Sequence, residues 1–212
     1  MLTDNIKWLG HAAFRVDGSK TIYFDPFRID EGKKADIILV SHKHHDHCSK
    51  EDILKILKPD TLIVTEADSA EILQLDNMII VKPYDSISVE GIEIQALPAY
   101  NITKPHHPKE NGWLGFLINI DGKTIYHAGD TDCIEEMRDI TTDVALIPIY
   151  PDNKYVMTPE EAAQATYYLN AKVAVPMHYG VLGGSKGDAL TVAKKGNPAI
   201  QIVIMESRKN SF

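Results

Sequence analysis

The chain has 212 residues, 44% hydrophobic and 25% charged, which is enough to bury a full core and sits at the upper end of one domain. Its net charge is -8 and its lysines are scattered, as at Lys33-Lys34 and Lys194-Lys195, so it lacks the basic stripe of a nucleic-acid binder. The opening MLTDNIKWLG is not a basic-then-apolar leader, and no apolar run nears the roughly 18 residues that span a bilayer. A cytoplasmic protein with one domain over 1–212 is therefore expected, with neither nucleic acid nor membrane as a partner; a homo-oligomer is compatible with this composition. Two cysteines, Cys48 and Cys133, are too few for a disulfide framework and should remain thiols.

The first third reads as a meander of short strands, NIKWL, AAFRV and TIYFDP, separated by turn residues such as Asp17-Gly18. ADIILV (35–40) is an almost unbroken apolar run, as expected of a strand buried on both faces. Ser49 then reads as the N-cap of a helix, DILKIL, that stops before Pro59. Strand TLIVT and a short helix near 67–74 follow, and then strands MIIVK, SISV, IEIQAL, WLGFLINI and KTIYHA, with a hairpin turn at Asp121-Gly122. The remainder alternates: helix 134–139, strand VALIPI, helix 158–169, strand VAVPM, helix 188–195 and strand QIVIM. Thr158-Pro159-Glu160-Glu161 is a strong helix start, combining an N-cap, a first-position proline and a glutamate at the third helical position. This order, β-rich then β/α-rich twice over, predicts two similar α/β halves with their sheets packed together and helices outside. LPAYNITKPHHPKENG (97–112) carries three prolines and no periodicity, and loops of that length in compact domains tend to be functional.

Four of the nine histidines fall within 42–47, in the stretch SHKHHDH between the buried strand and the helix, a place where open α/β sheets bind ligands. In an extended loop His42 and His44 project to one side and can grip one metal ion, while Asp46 and His47, offset by the turn, can reach a second. Imidazole and carboxylate donors suit zinc, with manganese or iron(II) as alternatives, whereas a thiolate site would need more cysteines; Cys48 is read as a buried thiol. More donors must come from other strand ends. Asp130, after KTIYHAG, is the natural bridging ligand because a carboxylate can span two cations. His178 ends VAVPM, and one of His106 and His107 is expected from the long loop.

The set His42-x-His44-x-Asp46-His47, a later loop histidine, Gly129-Asp130-Thr131 and His178 resembles the metallo-β-lactamase superfamily. Together with WLGHAAFRV and IYFDP, it is similar to the branch of small metal-dependent hydrolases that includes ascorbate-phosphate lactonase and N-acyl phosphatidylethanolamine phospholipase D. The resemblance runs from Trp8 to about Gly180. It implies a four-layer αβ/βα sandwich with the site in the cleft at the sheet edges. It also implies two divalent metal ions, one on His42, His44 and a loop histidine, the other on Asp46, His47 and His178, with Asp130 between them. Where the family places its third histidine in an A-x-H stretch this chain reads PAYN, so the ligand is displaced; we assign His107, which is next to Pro108 and nearer the following strand.

Two cations sharing a water hold hydroxide near neutral pH and polarise a carbonyl or phosphoryl oxygen, so hydrolysis of an ester, lactone or phosphoester of a small soluble substrate is expected. Asp46 would orient the nucleophile and carry a proton. His11, ahead of Tyr100, Asn101 and Tyr179, would donate to the oxyanion or leaving group. His45 and His127 are expected to support or pack, and Lys104, Lys109 and Lys186 are candidate anion contacts. Two other readings compete: a non-catalytic metal-dependent sensing module, and a diiron redox protein. The second is disfavoured because that branch carries a glutamate at the place of His44 and a flavin domain.

Overall fold

The computed structural model describes residues 1–30, 32–152 and 154–207, so the last five positions of the expected 1–212 domain lie outside it. β1 (Ile6–Gly10), β2 (Ala13–Asp17), β3 (Thr21–Phe24), β4 (Ile37–Val40), β5 (Leu62–Thr65) and β6 (Met78–Ile80) form one sheet in chain order. The second sheet contains β7 (Ser86–Val89), β8 (Ile92–Pro98), β9 (Leu114–Ile120), β10 (Lys123–His127), β11 (Thr141–Pro148), β12 (Asn170–Met177) and β13 (Gln201–Ile202), also in chain order. Each begins antiparallel and turns parallel, at β3/β4 in the first and β10/β11 in the second. Both sheets are thus mixed, and the β-rich to β/α-rich order of the sequence is the order of their strands.

The unbroken apolar run at β4 has the packing it predicts. Ile37 and Leu39, with Val64 of β5, join the large core between the sheets, where Phe14, Phe24 and Phe116 are fully buried. Alternate residues Ile38, Val40 and Ile63 face a second cluster with Ile53 of α1 (Lys50–Ile56) and Leu73 of α2 (Ala67–Leu73). The Ser49 side chain caps α1 by accepting from the Asp52 N–H, as expected. α3 (Pro159–Tyr168) carries the anticipated capping box of Thr158 and Glu161, and α4 (Lys186–Lys195) starts two residues before its expected position. No described helix is long and apolar enough to cross a membrane.

Two elements differ from expectation. The predicted 134–139 helix is a 3₁₀ turn at Glu135–Asp139, because β11 begins two residues later and leaves no length for an α-helix. QIVIM pairs only over Gln201–Ile202. After the Val203 N–H donates to the Ala174 carbonyl, the next donor on β12 would be Pro176, which has no N–H to give back.

At one end of the sandwich, where β1, β4, β8, β10 and β12 finish, backbone bonds also join the two sheets. There the Leu114 N–H donates to the Ser41 carbonyl (3.0 Å) and the His178 N–H to the His11 carbonyl (2.9 Å), stitching β9 to the loop after β4 and β12 to the loop after β1.

Candidate metal centre

Every expected ligand, and the expected proton donor His11, follows a strand end at this seam. His11 follows β1, the 41–47 loop follows β4, His107 lies in the loop after β8, Asp130 follows β10 and His178 follows β12. His42, His47, His107, Asp130 and His178 are buried, and His44 and Asp46 are half-buried. Donor atoms of His42, His44 and His107 lie close enough to share one ion, as do those of His11, Asp46, His47 and His178, and those of His42, His47 and Asp130.

Asp130 occupies the middle. Its Oδ1 is 3.3 Å from His47 Nε2, and its Oδ2 is 3.3 Å from His107 Nε2, 3.4 Å from His178 Nε2 and 4.0 Å from His42 Nε2. It reaches that position through Gly129, whose backbone is left-handed (φ +64°) and where any Cβ would collide with the Leu114 carbonyl oxygen. His127 supports the same turn: its ring lies parallel to Phe24 at 4.9 Å, its Nε2–H donates to the Ala12 carbonyl and its Nδ1 accepts from the Gly129 N–H. It packs, as expected.

The outer nitrogens of the imidazoles are held so that the inner ones face the cluster. His47 Nδ1 binds Asp25 Oδ2 at 2.7 Å, and Asp25 also accepts from the Ser41 N–H (2.7 Å) and hydroxyl (2.6 Å). His107 Nδ1 binds Asn101 Oδ1 at 2.9 Å, and His42 Nδ1 binds the Ser41 hydroxyl at 2.9 Å. The indole of Trp113 stacks obliquely on His42 with centroids 4.8 Å apart and meets His44 and His107 edge-on. Left inward and unsatisfied are the buried Nε2 atoms of His47, His107 and His178 and the Oδ1 of Asp130. Four such atoms converging in one place fit cations, because a buried polar atom without a partner is costly.

The electrostatics agree. Burial, followed by the neighbouring His178, pushes the His11 imidazole down to about 4, and burial with His107 does the same to His44. Burial and the adjacent His47 hold His42 well below its ordinary value. These three rings are therefore neutral at pH 7, as metal ligands must be. Burial alone would raise the carboxyls of Asp130 and Asp46, yet His47 with His178 holds the first, and His47 with His11 the second, well below the usual range. His47 itself is driven up against its burial by Asp130, Asp25 and Asp46. The three carboxylates demand positive charge at this point, which bound cations would supply.

Several expected roles change place. His11, anticipated as a proton donor, is fully buried with Nε2 2.9 Å from Asp46 Oδ2, among candidate ligand atoms rather than on the cavity wall. Asn101 orients His107, the Tyr100 hydroxyl donates to Glu136 (3.0 Å) and Tyr179 packs on Trp8 at 4.8 Å. Cys48 is buried and belongs to no ligand group; burial raises its thiol to about 11. His106 stacks on Tyr155, so it is His107 that joins the cluster. The three lysines expected to meet an anion are each paired with an acid. Lys104 is buried, pairs with Asp132 and Glu161 and donates to the Val156 carbonyl, while Lys109 and Lys186 pair with Glu136 and Glu206. In this acidic chain, carboxylates have taken them.

Sequence reasoning missed Asp25, Trp113 and the Asp132–Lys104 pair. Asp25 had a signal: an aspartate before proline at the end of the strand-forming, mostly apolar TIYF, which is buried throughout and where a carboxylate needs a specific partner.

Two packed mixed sheets with helices outside and a His/Asp cluster at their strand ends define a metallo-β-lactamase-type sandwich. Residues 5–178 match the Beta-lactamase superfamily domain. A UPF0173 metal-dependent hydrolase of Pyrococcus abyssi is 31% identical, covering 95% of this chain and 96% of its own length. The chain therefore belongs to the β-lactamase superfamily and, within it, to the UPF0173 metal-dependent hydrolases. Two solved structures agree in fold. A candidate metal-dependent hydrolase of Parabacteroides distasonis superposes with a TM-score of 0.85 at 30% identity, covering 96% of this chain and 93% of that one. Igni18, a metallo hydrolase of Ignicoccus hospitalis, gives 0.75 at 25% identity over 95% and 94%.

Proposed function

We propose that this chain is a two-metal hydrolase, zinc foremost with manganese or iron(II) as alternatives, that opens an ester, lactone or phosphoester of a small soluble substrate in the cytoplasm. The observation that carries it is the convergence of orphaned, buried Nε2 and Oδ1 atoms around Asp130. His42, His44 and His107 would hold one ion, Asp46, His47 and His178 the other, with Asp130 between them and His11 beside the second group. Bound there, the ions would supply a Lewis acid and lower the pKa of water toward neutrality. Asp46, whose carboxylate is 14% exposed toward the cavity, orients the attacking water and carries its proton to the leaving group. The acyl or phosphoryl bond to the leaving oxygen breaks as the water oxygen adds.

Metal analysis of the purified protein, alongside turnover of a panel of esters, lactones, thioesters and phosphodiesters, tests this reading. Two ions per chain with turnover of at least one substrate class is the expected result. Full occupancy with no turnover across the panel would favour a sensing module, and a coloured diiron centre would favour redox chemistry. His107→Ala is expected to lower the stoichiometry from two toward one while His106→Ala leaves it unchanged; the reverse would move the ligand by one residue.

A further inference from the structure

A cavity of about 430 Å³ opens onto the candidate centre, a volume suited to a small molecule. Its wall beyond the ligand residues is made by His45, His106, Tyr150, Tyr155 and Leu182. Three of these rings run in series toward the ligands. His106 lies 4.7 Å from Tyr155 at 49°, Tyr155 lies 5.9 Å from Tyr150 at 82°, and Tyr150 lies 6.2 Å from His178 at 72°. Tyr150 is set in place by Gly183, because the phenol fills the space that a Cβ there would need. Leu182, 39% exposed, adds an apolar edge.

Charge on this wall is as telling as shape. Among the described residues no lysine or arginine lines the cavity, and its two carboxylates, Asp46 and Asp130, lie among the candidate ligands, so any positive charge would sit at the metal end and none on the outer wall. Lys104 is paired with Asp132 and Glu161 in the interior, Lys109 and Lys186 pair with Glu136 and Glu206 at the surface, and the Lys154 ammonium sits over the Tyr155 ring at 4.9 Å. An anionic group lying against the outer wall, away from the metal end, would lose hydration without a cationic side chain lining that wall to meet it, whereas a flat apolar group would gain ring contacts.

We infer that the cavity takes a neutral ester or lactone bearing an aryl or comparably flat apolar group, and discriminates against substrates with a phosphate or carboxylate at that end. This rests on the hydrolase reading above: water adds to the acyl carbon, the C–O bond breaks and the proton goes to the leaving oxygen. What it adds is the class of substrate.

The test uses the zinc-loaded protein and three γ-lactones with the same reacting bond, carrying a methyl group, a phenyl group or a phenyl group with a phosphate ester. Binding of the three corresponding lactams, which resist opening, is measured in parallel by quenching of protein fluorescence. The phenyl lactone is expected to exceed both others in kcat/KM by about tenfold, the worth of roughly one aromatic contact, with the lactams binding in the same order. Tyr155→Ala and Tyr150→Ala should each remove most of that advantage while retaining two zinc ions, which shows that the fold is intact. Equal or better use of the phosphorylated lactone, or equal binding of its lactam, would overturn the inference. If no lactone opens, lactone hydrolysis fails, yet the lactam order still decides the preference of the cavity.

Discussion

Replacing Asp130 with alanine is expected to lower kcat/KM about a thousandfold on whichever substrate the protein turns over. The two oxygens of Asp130 face different imidazoles of the cluster, Oδ1 toward His47 and Oδ2 toward His107 and His178. In the two-metal reading, removing it would take away the donor between the two candidate ligand sets and the charge that balances them. Several kcal/mol of transition-state stabilisation are then lost, at about 1.4 kcal/mol per decade of rate. Asp130→Asn should behave similarly, since the amide keeps the shape and one acceptor but not the charge. Metal content measured on the same samples should fall below two per chain. Wild-type turnover in either variant would remove Asp130 from the centre, and with it the two-metal reading.

Asp25→Ala is expected to weaken metal binding about ten- to a hundredfold and to destabilise the metal-free fold by about 3 kcal/mol, although Asp25 faces none of the inward ligand atoms. Its carboxylate receives His47 Nδ1, the Ser41 N–H and the Ser41 hydroxyl, and Ser41 in turn meets His42 Nδ1. One buried group thus sets two candidate ligand rings, one in each proposed set. Truncation leaves a buried imidazole and a buried N–H without their acceptor, the costly way to break a buried pair. Thermal unfolding without metal should show a drop in Tm of roughly 10 °C, and zinc titration in competition with a chelator should show the affinity loss. If both measurements match the wild type, Asp25 does not organise the site.

Much of this site was legible because its residues carry their own spacing. The loop at 42–47 announces itself by density, and Asp130 and His178 by standing at strand ends after apolar runs. The strand order was legible for the same reason, since hydrophobic runs and turn residues mark each element. What the sequence did not convey is direction. Nothing in WLGH distinguishes a histidine aimed at a substrate from one turned inward against Asp46, because the left-handed backbone at His11 (φ +54°) that turns it is a property of the folded seam. The lysines failed differently. Lys104 in a proline-containing loop looks exposed, and only the tertiary fold brings Asp132 and Glu161 to bury its charge. Asp25 was visible but mute, since its partner is 22 residues away along the chain.

The placement of the cluster along the seam has a mechanical consequence. His11, Asp25 and the 41–47 loop hang from one sheet, while His107, Asp130 and His178 hang from the other. A cation gripped by both would act as a rivet between two leaves that otherwise hold each other by apolar contact, hydrogen bonds and an ion pair. Its binding energy would appear as resistance to peeling the leaves apart, so chelation should loosen the joint before it unravels either leaf.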